Sequence, residues 1–424
     1  MLWLWKRHGV LGVPVLLTLL LGLQHALIMV GSIVSPPLAI ASGAFNFDPG
    51  MTQYLVFTAF ITTGIATALQ VTRLQIMRTP FFIGTGLLSV VGPTFDILPV
   101  VFNYSALRYK SGTCPVANDG TQQPCPEASS CHGGEGFYAL CPDTTAPRPL
   151  PWGDPNLIGL GFSVFATIVV VESIGAPLMR SASVVMGLAV GCIISGTTGY
   201  WSTQQLHDAP GGTFLTVHTF PLSVDGALVL PMIIMFACQA VSCIPDILAT
   251  AELSGVPIEG TEFNTRIQGG ILCDGLGSFF SVLATGLPMV SQAGNNGVIV
   301  LTGCASRRTG WAASGFLVLM GIIAKFGAVF ASMPPSVLGG MQVFVYSTIA
   351  VAGIRVLALI AWTRRDRFVL AVALGIGFMD ICQPDWFVSI LDYAGENENL
   401  VGFEQGVNFA VETPFVIAAI VGCF

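Results

Sequence analysis

The stretch QAGNNGVIVLTG, residues 292–303, decides the interpretation of this chain, because it is apolar but too irregular for a plain helix. A second interrupted stretch, GTGLLSVVGPTFD at residues 84–96, has the same character. Broken segments of this kind are tolerated at membrane depth only where they are buried in protein or line a cavity. Two of them in corresponding places of two repeats are typical of a transporter binding site. The two asparagines of the first stretch offer amide donors and acceptors suited to a planar heterocycle.

The composition of the whole chain indicates a polytopic α-helical membrane protein. Of its 424 residues, 53% are hydrophobic and only 9% are Asp, Glu, Lys or Arg, against roughly 25% charged residues in an ordinary soluble domain. The formal net charge is −7, and the Lys and Arg residues form no basic patch in the sequence. These numbers exclude a secreted enzyme, a nucleic-acid-binding protein and a disordered regulator.

The apolar stretches predict twelve membrane spans, each needing about 20 apolar residues. They are residues 11–35, 52–71, 80–101, 156–177, 181–201, 226–249, 267–285, 287–303, 312–333, 336–358, 367–383 and 410–424. Twelve Lys and Arg residues then fall on one side and three on the other, which predicts a cytosolic N-terminus. The last span is short, so we expect that the chain stops before its natural end.

The one long hydrophilic stretch, residues 102–154, is predicted to be an extracytoplasmic loop with four cysteines. Four cysteines in an oxidising compartment predict two disulfides with three possible pairings. Unpaired thiols are the alternative, and no metal site is expected because the spacing matches no closed zinc site. The disulfide candidates are Cys114, Cys125, Cys131 and Cys141.

Ionisable residues inside predicted spans are candidates for proton coupling, because their burial is costly unless they have a role or a partner. Asp246 follows a proline in the sixth span, and Asp274 lies in the next span. Two carboxylates on neighbouring spans are suited to a proton relay. The alternative is that each only pairs with a backbone amide or a hydroxyl. His25 in the first span organises either the site or the packing of helices.

These motifs resemble those of the nucleobase–ascorbate transporters, most closely the fungal uric acid–xanthine permeases. The family signature reads Gln/Glu/Pro, Asn, any residue, Gly, four residues, Thr, then Arg/Lys/Gly. Residues 294–303 match it at every fixed position except the first, Gly294. Further agreement comes from residues 22–25, 82–87, 218–223, 267–270 and 364–365, so the likeness covers nearly the whole chain.

The resemblance implies a single transporter domain, residues 1–424, with fourteen segments in two inverted repeats divided into a core and a gate. It implies proton-coupled symport of purine-type nucleobases at the plasma membrane, no cofactor other than the proton, no nucleic-acid partner and a homodimer. The positions that contact substrate map to Phe95, Ser242, Ala293, Gly294 and Asn295. Proton coupling and site organisation map to His25, Asp246, Asp274, Asn296 and Thr302.

The chain departs from the family pattern at three places. Ser242 stands where purine permeases have a glutamate that hydrogen-bonds the substrate, and Gly294 stands where they usually have glutamine. Family segments four and five have no counterpart between Glu127 and Trp152, so we expect about 12 of the 14 segments. A non-transporting or incomplete relative is therefore the alternative function. An anion exchanger or channel of the same fold would not predict the signature from Asn295 to Thr302.

Overall fold

The computed structural model of the protein describes most of the chain, and within that part it is predominantly helical. The described residues are 15–41, 47, 49–110, 153–176, 179–180, 183–201, 207, 209, 211–215, 225–292, 299, 304–358, 362–382, 407–408 and 414–423. The four candidate disulfide cysteines lie outside these residues, so their pairing stays a prediction.

Twelve helices of at least eight residues and four short strands make up the described part. The helices are α1 (Val15–Ala39), α2 (Pro49–Val71), α3 (Ile97–Lys110), α4 (Pro155–Ile174), α5 (Ser183–Thr198), α6 (Gly226–Leu253), α7 (Thr261–Leu283), α8 (Arg307–Ile322), α9 (Ala324–Ala331), α10 (Pro335–Ala358), α11 (Arg364–Cys382) and α12 (Pro414–Cys423). The strands are β1 (Leu74–Gln75), β2 (Phe82–Ile83), β3 (Val90–Pro93) and β4 (Met289–Gln292).

Length and composition make four of the described helices suitable for crossing a membrane. They are α1, residues 50–71 of α2, α4, and residues 228–253 of α6, while α5 is a shorter apolar helix. The predicted span 312–333 is two helices, α8 and α9, which are separated at Ile323. The count of twelve spans stays a prediction.

The chain is extended at two places where helices break. One is Val90–Pro93, inside the stretch 84–96, and the other is Met289–Gln292, which ends at the first residue of the stretch 292–303. Of that second stretch only Gln292 and Ile299 are described, so its interruption beyond Gln292 stays a prediction. β3 and β4 pair antiparallel, with Val90 opposite Gln292 and Pro93 opposite Met289. The predicted spans 80–101 and 287–303 are therefore not single helices in their described parts. β-branched Val90 and Val91 favour the extended conformation of β3, and Pro93 ends it.

The helices form groups around α2, which carries buried polar side chains along its length. α2 packs against α1, α8, α7 and β3, whereas α4, α5 and α10 pack against one another and α11 packs against α12. The buried polar residues of α2 are Gln53, Thr58, Thr62, Thr63, Thr67 and Gln70. The central helix α2 therefore offers hydrogen-bonding groups to the elements packed around it.

The outer surface of several helices is apolar, which is the opposite of a water-soluble bundle. Exposed large apolar residues include Ile158, Phe162 and Ile174 of α4, Ile233 and Val241 of α6, and Phe279 and Phe280 of α7. Large exposed apolar surfaces of this kind mark contact with a partner or with lipid. Together with the apolar composition, they fit an integral membrane protein.

Candidate functional site

The candidate site is built around the β3–β4 pair, whose backbone groups need partners because the strands are buried. In an antiparallel pair, alternate residues turn their N–H and C=O groups away from the partner strand. Val91 and Ser291 face each other across the ladder. Both direct their N–H outward, to Thr67 of α2 and to Asp274 of α7 respectively. The helices that flank the pair therefore satisfy its outer edges.

Hydroxyl groups from the two flanking helices bind the strands in the same way. Thr67 Oγ1 accepts a hydrogen bond from Val91 N at 3.1 Å and donates to Val91 O at 3.5 Å. Ser278 Oγ of α7 accepts from Met289 N at 2.9 Å and donates to Met289 O at 2.9 Å. Each hydroxyl takes the place of a neighbouring strand, so that the buried two-stranded sheet has its outer backbone groups hydrogen-bonded.

Asp274 is the charged centre of this arrangement and is buried on α7. Its Oδ2 accepts hydrogen bonds from Ser291 N at 2.9 Å and from Cys243 Sγ at 3.2 Å. Its Oδ1 accepts from Ser291 Oγ at 3.0 Å, and Gln70 Nε2 donates to that same Ser291 Oγ at 2.7 Å. α6, α7 and β4 thus meet at one carboxylate, and α2 is connected to it through Ser291.

One face of α6 carries the polar residues that meet β4 and α7, because positions 239, 242, 243 and 246 follow helical spacing. Gln239 Nε2 donates to Met289 O at 2.6 Å. Asp246 is half-buried and close enough to Asp274 for their charges to interact. Ser242 is exposed, and its Oγ donates to Gln239 O at 2.9 Å within the helix. On this face of α6, Gln239 and Cys243 are therefore buried, whereas Ser242 is exposed at its edge.

The other predicted residues take different positions. Phe95 is half-buried in the turn between β3 and α3 and packs in a cluster with Ile97, Met235 and Leu287. His25 is completely buried in α1. Ala293, Gly294, Asn295, Asn296 and Thr302 lie outside the described residues. Of the predicted site residues, the structure therefore brings Asp274 and Asp246 together beside the interrupted segments.

Glycines position the loop before β3 against α7. Gly84 has φ +82°, and a Cβ there would lie 1.9 Å from Thr72 O, so that no other residue fits. Gly84 N donates to Gly269 O at 2.9 Å, and a Cβ on Gly269 would lie 2.6 Å from Gly84 O. Gln268 continues this contact, since its Oε1 accepts from Phe82 N at 2.9 Å.

Arginines from three segments secure the same loop. Arg266 of α7 is buried and donates to Thr85 O at 2.7 Å, and Arg307 of α8 donates to Gly86 O at 2.6 Å. Arg73 and Arg266 both form ion pairs with the exposed carboxylate of Glu262, at 3.2 and 2.8 Å. These contacts connect α7 and α8 to the segment that leads into β3.

Several of these residues escaped the sequence prediction. Gln70, Thr67 and Ser278 are polar residues within apolar helices, and Cys243 is a thiol in an apolar run. Their common signal is a hydrogen-bonding group in a predicted span, but single Ser, Thr and Cys residues are too frequent there to stand out.

Comparison with known proteins identifies the family of the chain. The Xan_ur_permease profile, described as a permease family, matches residues 16–118 and 142–385. The chain belongs to this family, the nucleobase–ascorbate transporters. Its relatives are permeases, which are transporters and not enzymes.

The relatives that this chain resembles include two permeases from Emericella nidulans. One is a uric acid–xanthine permease, 39% identical over 463 positions that cover 96% of this chain and 80% of the relative. The other is a purine permease, 37% identical over 469 positions, 97% of this chain and 81% of the relative. A solved structure, the transmembrane domain of a cyanobacterium bicarbonate transporter BicA, aligns with TM-score 0.44 and 15% identity, over 96% of this chain and 97% of that chain.

Proposed function

We propose that the protein is a secondary active transporter that carries purine-type nucleobases of the xanthine and uric acid class together with protons. The observation that carries this proposal is the buried β3–β4 pair, held by α2, α6 and α7 beside two carboxylates. Extended backbone at membrane depth requires such protein partners, and in secondary transporters it forms the substrate site. The permeases named above, which carry these substrates in their names, support the same class of cargo.

The substrate would contact Phe95, Ser242, Ala293, Gly294 and Asn295. Ser242 supports this role because it is exposed on the polar face of α6, next to buried Cys243. A serine and a glycine replace the glutamate and glutamine expected from the family resemblance. A hydrogen bond to a charged group contributes about 1.5–3 kcal/mol, so we expect weaker binding than in a permease that keeps both side chains.

Asp274 would carry the coupling proton, with Asp246 and His25 organising the site. We predict that Asp274→Asn abolishes the dependence of uptake on acid pH, because an amide cannot take up and release a proton in this range. Asp366→Asn is the matched control, since Asp366 lies at the start of α11 and accepts hydrogen bonds from Thr363 at 2.7 and 2.9 Å. Uptake that still rises with acidity in Asp274→Asn would contradict the assignment.

We propose an inverted repeat in which α2 with β3 corresponds to α7 with β4. The two-way hydroxyl contacts of Thr67 and Ser278 support this relation, since each helix binds its own strand in the same manner. α4, α5 and α10 pack chiefly against one another and meet α1 and α2 in a shared apolar cluster. This grouping supports a division into core and gate that contact each other. A homodimer in the plasma membrane with a cytosolic N-terminus completes the proposal.

A non-transporting or incomplete relative is the second candidate. Its support is that the alignments with the fungal permeases extend over 463 and 469 positions, more than the 424 residues of this chain. The profile match is also interrupted between residues 118 and 142, near the proposed loss of segments four and five. Sequencing of the full transcript would show whether these segments were removed with a misread exon.

Uptake of radiolabelled xanthine, uric acid, adenine and uracil decides between the two candidates. The chain is expressed in cells without their own purine uptake, and its presence at the surface is measured in parallel. Saturable uptake that increases from neutral to acid pH is the expected result. A chain that reaches the surface and transports none of the four would overturn the transporter proposal.

A further inference from the structure

Gln70 is a buried amide that the proposed transport mechanism has not yet used. It lies near the end of α2 and is completely buried. Its Nε2 donates to Ser291 Oγ at 2.7 Å, whereas its Oε1 is buried and has no hydrogen-bond partner among the described residues. A buried acceptor without a hydrogen-bond partner destabilises the folded state, so we looked for a role of Gln70 beside the carboxylate of Asp274.

The direction of the hydrogen bonds follows from the groups involved. The amide nitrogen of Gln70 can only donate, so Ser291 Oγ accepts that bond and sends its own proton to Asp274 Oδ1 at 3.0 Å. Ser291 N and Cys243 Sγ donate to Asp274 Oδ2. All three neighbours of Asp274 are therefore donors. This arrangement suits a carboxylate and offers no acceptor to the proton of a carboxylic acid.

Reversal of two hydrogen bonds would accommodate that proton. If the amide of Gln70 turns by 180°, its Oε1 faces Ser291 and accepts the serine proton. Ser291 Oγ then accepts from the newly protonated Oδ1 of Asp274. No covalent bond changes other than the O–H bond that Asp274 forms with the incoming proton. Oε1 of Gln70, unpaired in the present arrangement, gains a partner in the second one, while Nε2 gives up its bond to Ser291 and takes the place that Oε1 leaves.

We propose that Gln70 is a positioning residue that, through Ser291, switches the hydrogen bonds of Asp274 between its ionised and protonated states. This inference rests on the proposed role of Asp274 as the proton-coupling group and names the residues that make both of its states stable. Because Gln70 O also accepts from Thr85 N at 3.0 Å and Gly86 N at 3.2 Å, the switch lies next to the loop that leads into β3.

Other titratable groups face Asp274 from the elements packed against it. Cys243 and Asp246 lie on α6 and Cys273 lies on α7, and each interacts electrostatically with Asp274. The strands Val90–Pro93 and Met289–Gln292 carry no titratable side chain, and Gln70 is neutral. Gln70 carries no charge, so it acts on Asp274 only through the direction of hydrogen bonds.

The test is the protonation midpoint of Asp274 in the purified full chain, reconstituted in lipid nanodiscs. Infrared difference spectra across a pH titration report the carboxylic acid band, and Asp274→Asn identifies which band belongs to Asp274. This measurement needs no transport activity. Uptake against pH in cells is recorded for the same variants.

Two substitutions at Gln70 should move the midpoint in opposite directions. Gln70→Leu leaves the serine proton without an acceptor in the protonated state, so the midpoint falls by about one pH unit. Gln70→Glu supplies a permanent acceptor and a second carboxylate that shares the proton with Asp274. As the pH falls, the first of the two protons should therefore bind about one pH unit or more above the midpoint of the parent. Gln70→Glu also preserves side-chain size, which keeps the test available if Gln70→Leu fails to fold.

Gln239→Leu is the matched control, because Gln239 is also a buried amide that donates to β4, and its Oε1 is buried without a hydrogen-bond partner in the described part of the chain. Among the hydrogen bonds described, Gln239 contacts Met289 O and no atom of Ser291 or Asp274. The protonation midpoint of Asp274 in Gln239→Leu should therefore equal that of the parent. Three results would overturn the inference. The first is an equal shift of the Asp274 midpoint in the Gln70 and Gln239 variants, and the second is a shift of the same sign in both Gln70 variants. The third is an infrared spectrum without a titrating band of Asp274. Absence of uptake by the parent would count against the proposed function, while the infrared midpoints would still decide the role of Gln70.

Discussion

A methyl group added at Gly269 tests the contact that holds α7 against the loop before β3. The Cβ of alanine would lie 2.6 Å from Gly84 O, a backbone atom that cannot rotate away. Gly84 cannot retreat easily, because it donates to Gly269 O at 2.9 Å and lies against Thr72 O on its other side. Gly269→Ala therefore forces α7 and the loop apart.

The magnitude follows from three contributions. Overpacking of a rigid contact costs about 1–3 kcal/mol, and loss of the Gly84–Gly269 hydrogen bond costs about 1 kcal/mol more. Better helix propensity of alanine returns about 1 kcal/mol. The expected net loss of stability is about 1–3 kcal/mol.

Gly275→Ala is the matched control on the same helix, since a Cβ at this exposed glycine meets no atom of the described residues within 4 Å. It should stabilise α7 by about 1 kcal/mol through propensity alone. The assay is thermal unfolding of the detergent-solubilised chain, with the parent measured beside both variants. An apparent Tm that falls for Gly269→Ala and rises or stays constant for Gly275→Ala is expected. Equal Tm values for the two variants would refute the argument from close contact.

Two further substitutions test the supports of the site. Thr67→Val leaves the buried N–H of Val91 without its acceptor and should lower the free energy of unfolding by about 1–3 kcal/mol. Thr62→Val is the control, since the Thr62 hydroxyl donates only within its own helix, and it should change Tm much less. Equal decreases of Tm in the two variants would contradict the role of Thr67. Arg266→Met removes the hydrogen bond to Thr85 O, so it should lower Tm and increase proteolysis of the loop before β3. Arg308 is exposed, and Arg308→Met should leave both measurements near those of the parent. An unchanged cleavage rate in Arg266→Met would contradict the role of Arg266.

Local sequence predicted the candidate site only in part. Asp274 and Asp246 stood out because carboxylates are rare in apolar spans, and the structure places them on neighbouring helices. The alternative considered for Asp274, that it pairs with a backbone amide and a hydroxyl, describes the contacts it makes with Ser291. These contacts do not exclude proton coupling, because the same carboxylate can bind the strand and titrate.

The partners of Asp274 were not predictable in the same way. Gln70 and Ser291 are 221 residues apart in sequence, and Thr67 contacts a strand 24 residues later. Periodicity and propensity describe neighbours within one helix or strand, so they carry no information about which distant group completes a buried hydrogen bond.

The sequence by itself determined the membrane class, the interruption of the stretch 84–96 and the permease family, because apolar content, glycine and proline positions, and motif residues act locally. Only the tertiary structure decided that β3 and β4 pair with each other and that α2, α6 and α7 satisfy their outer edges. The physical reason is that every backbone group in a dry interior must find a partner, and the chain meets that demand through contacts between segments far apart in sequence.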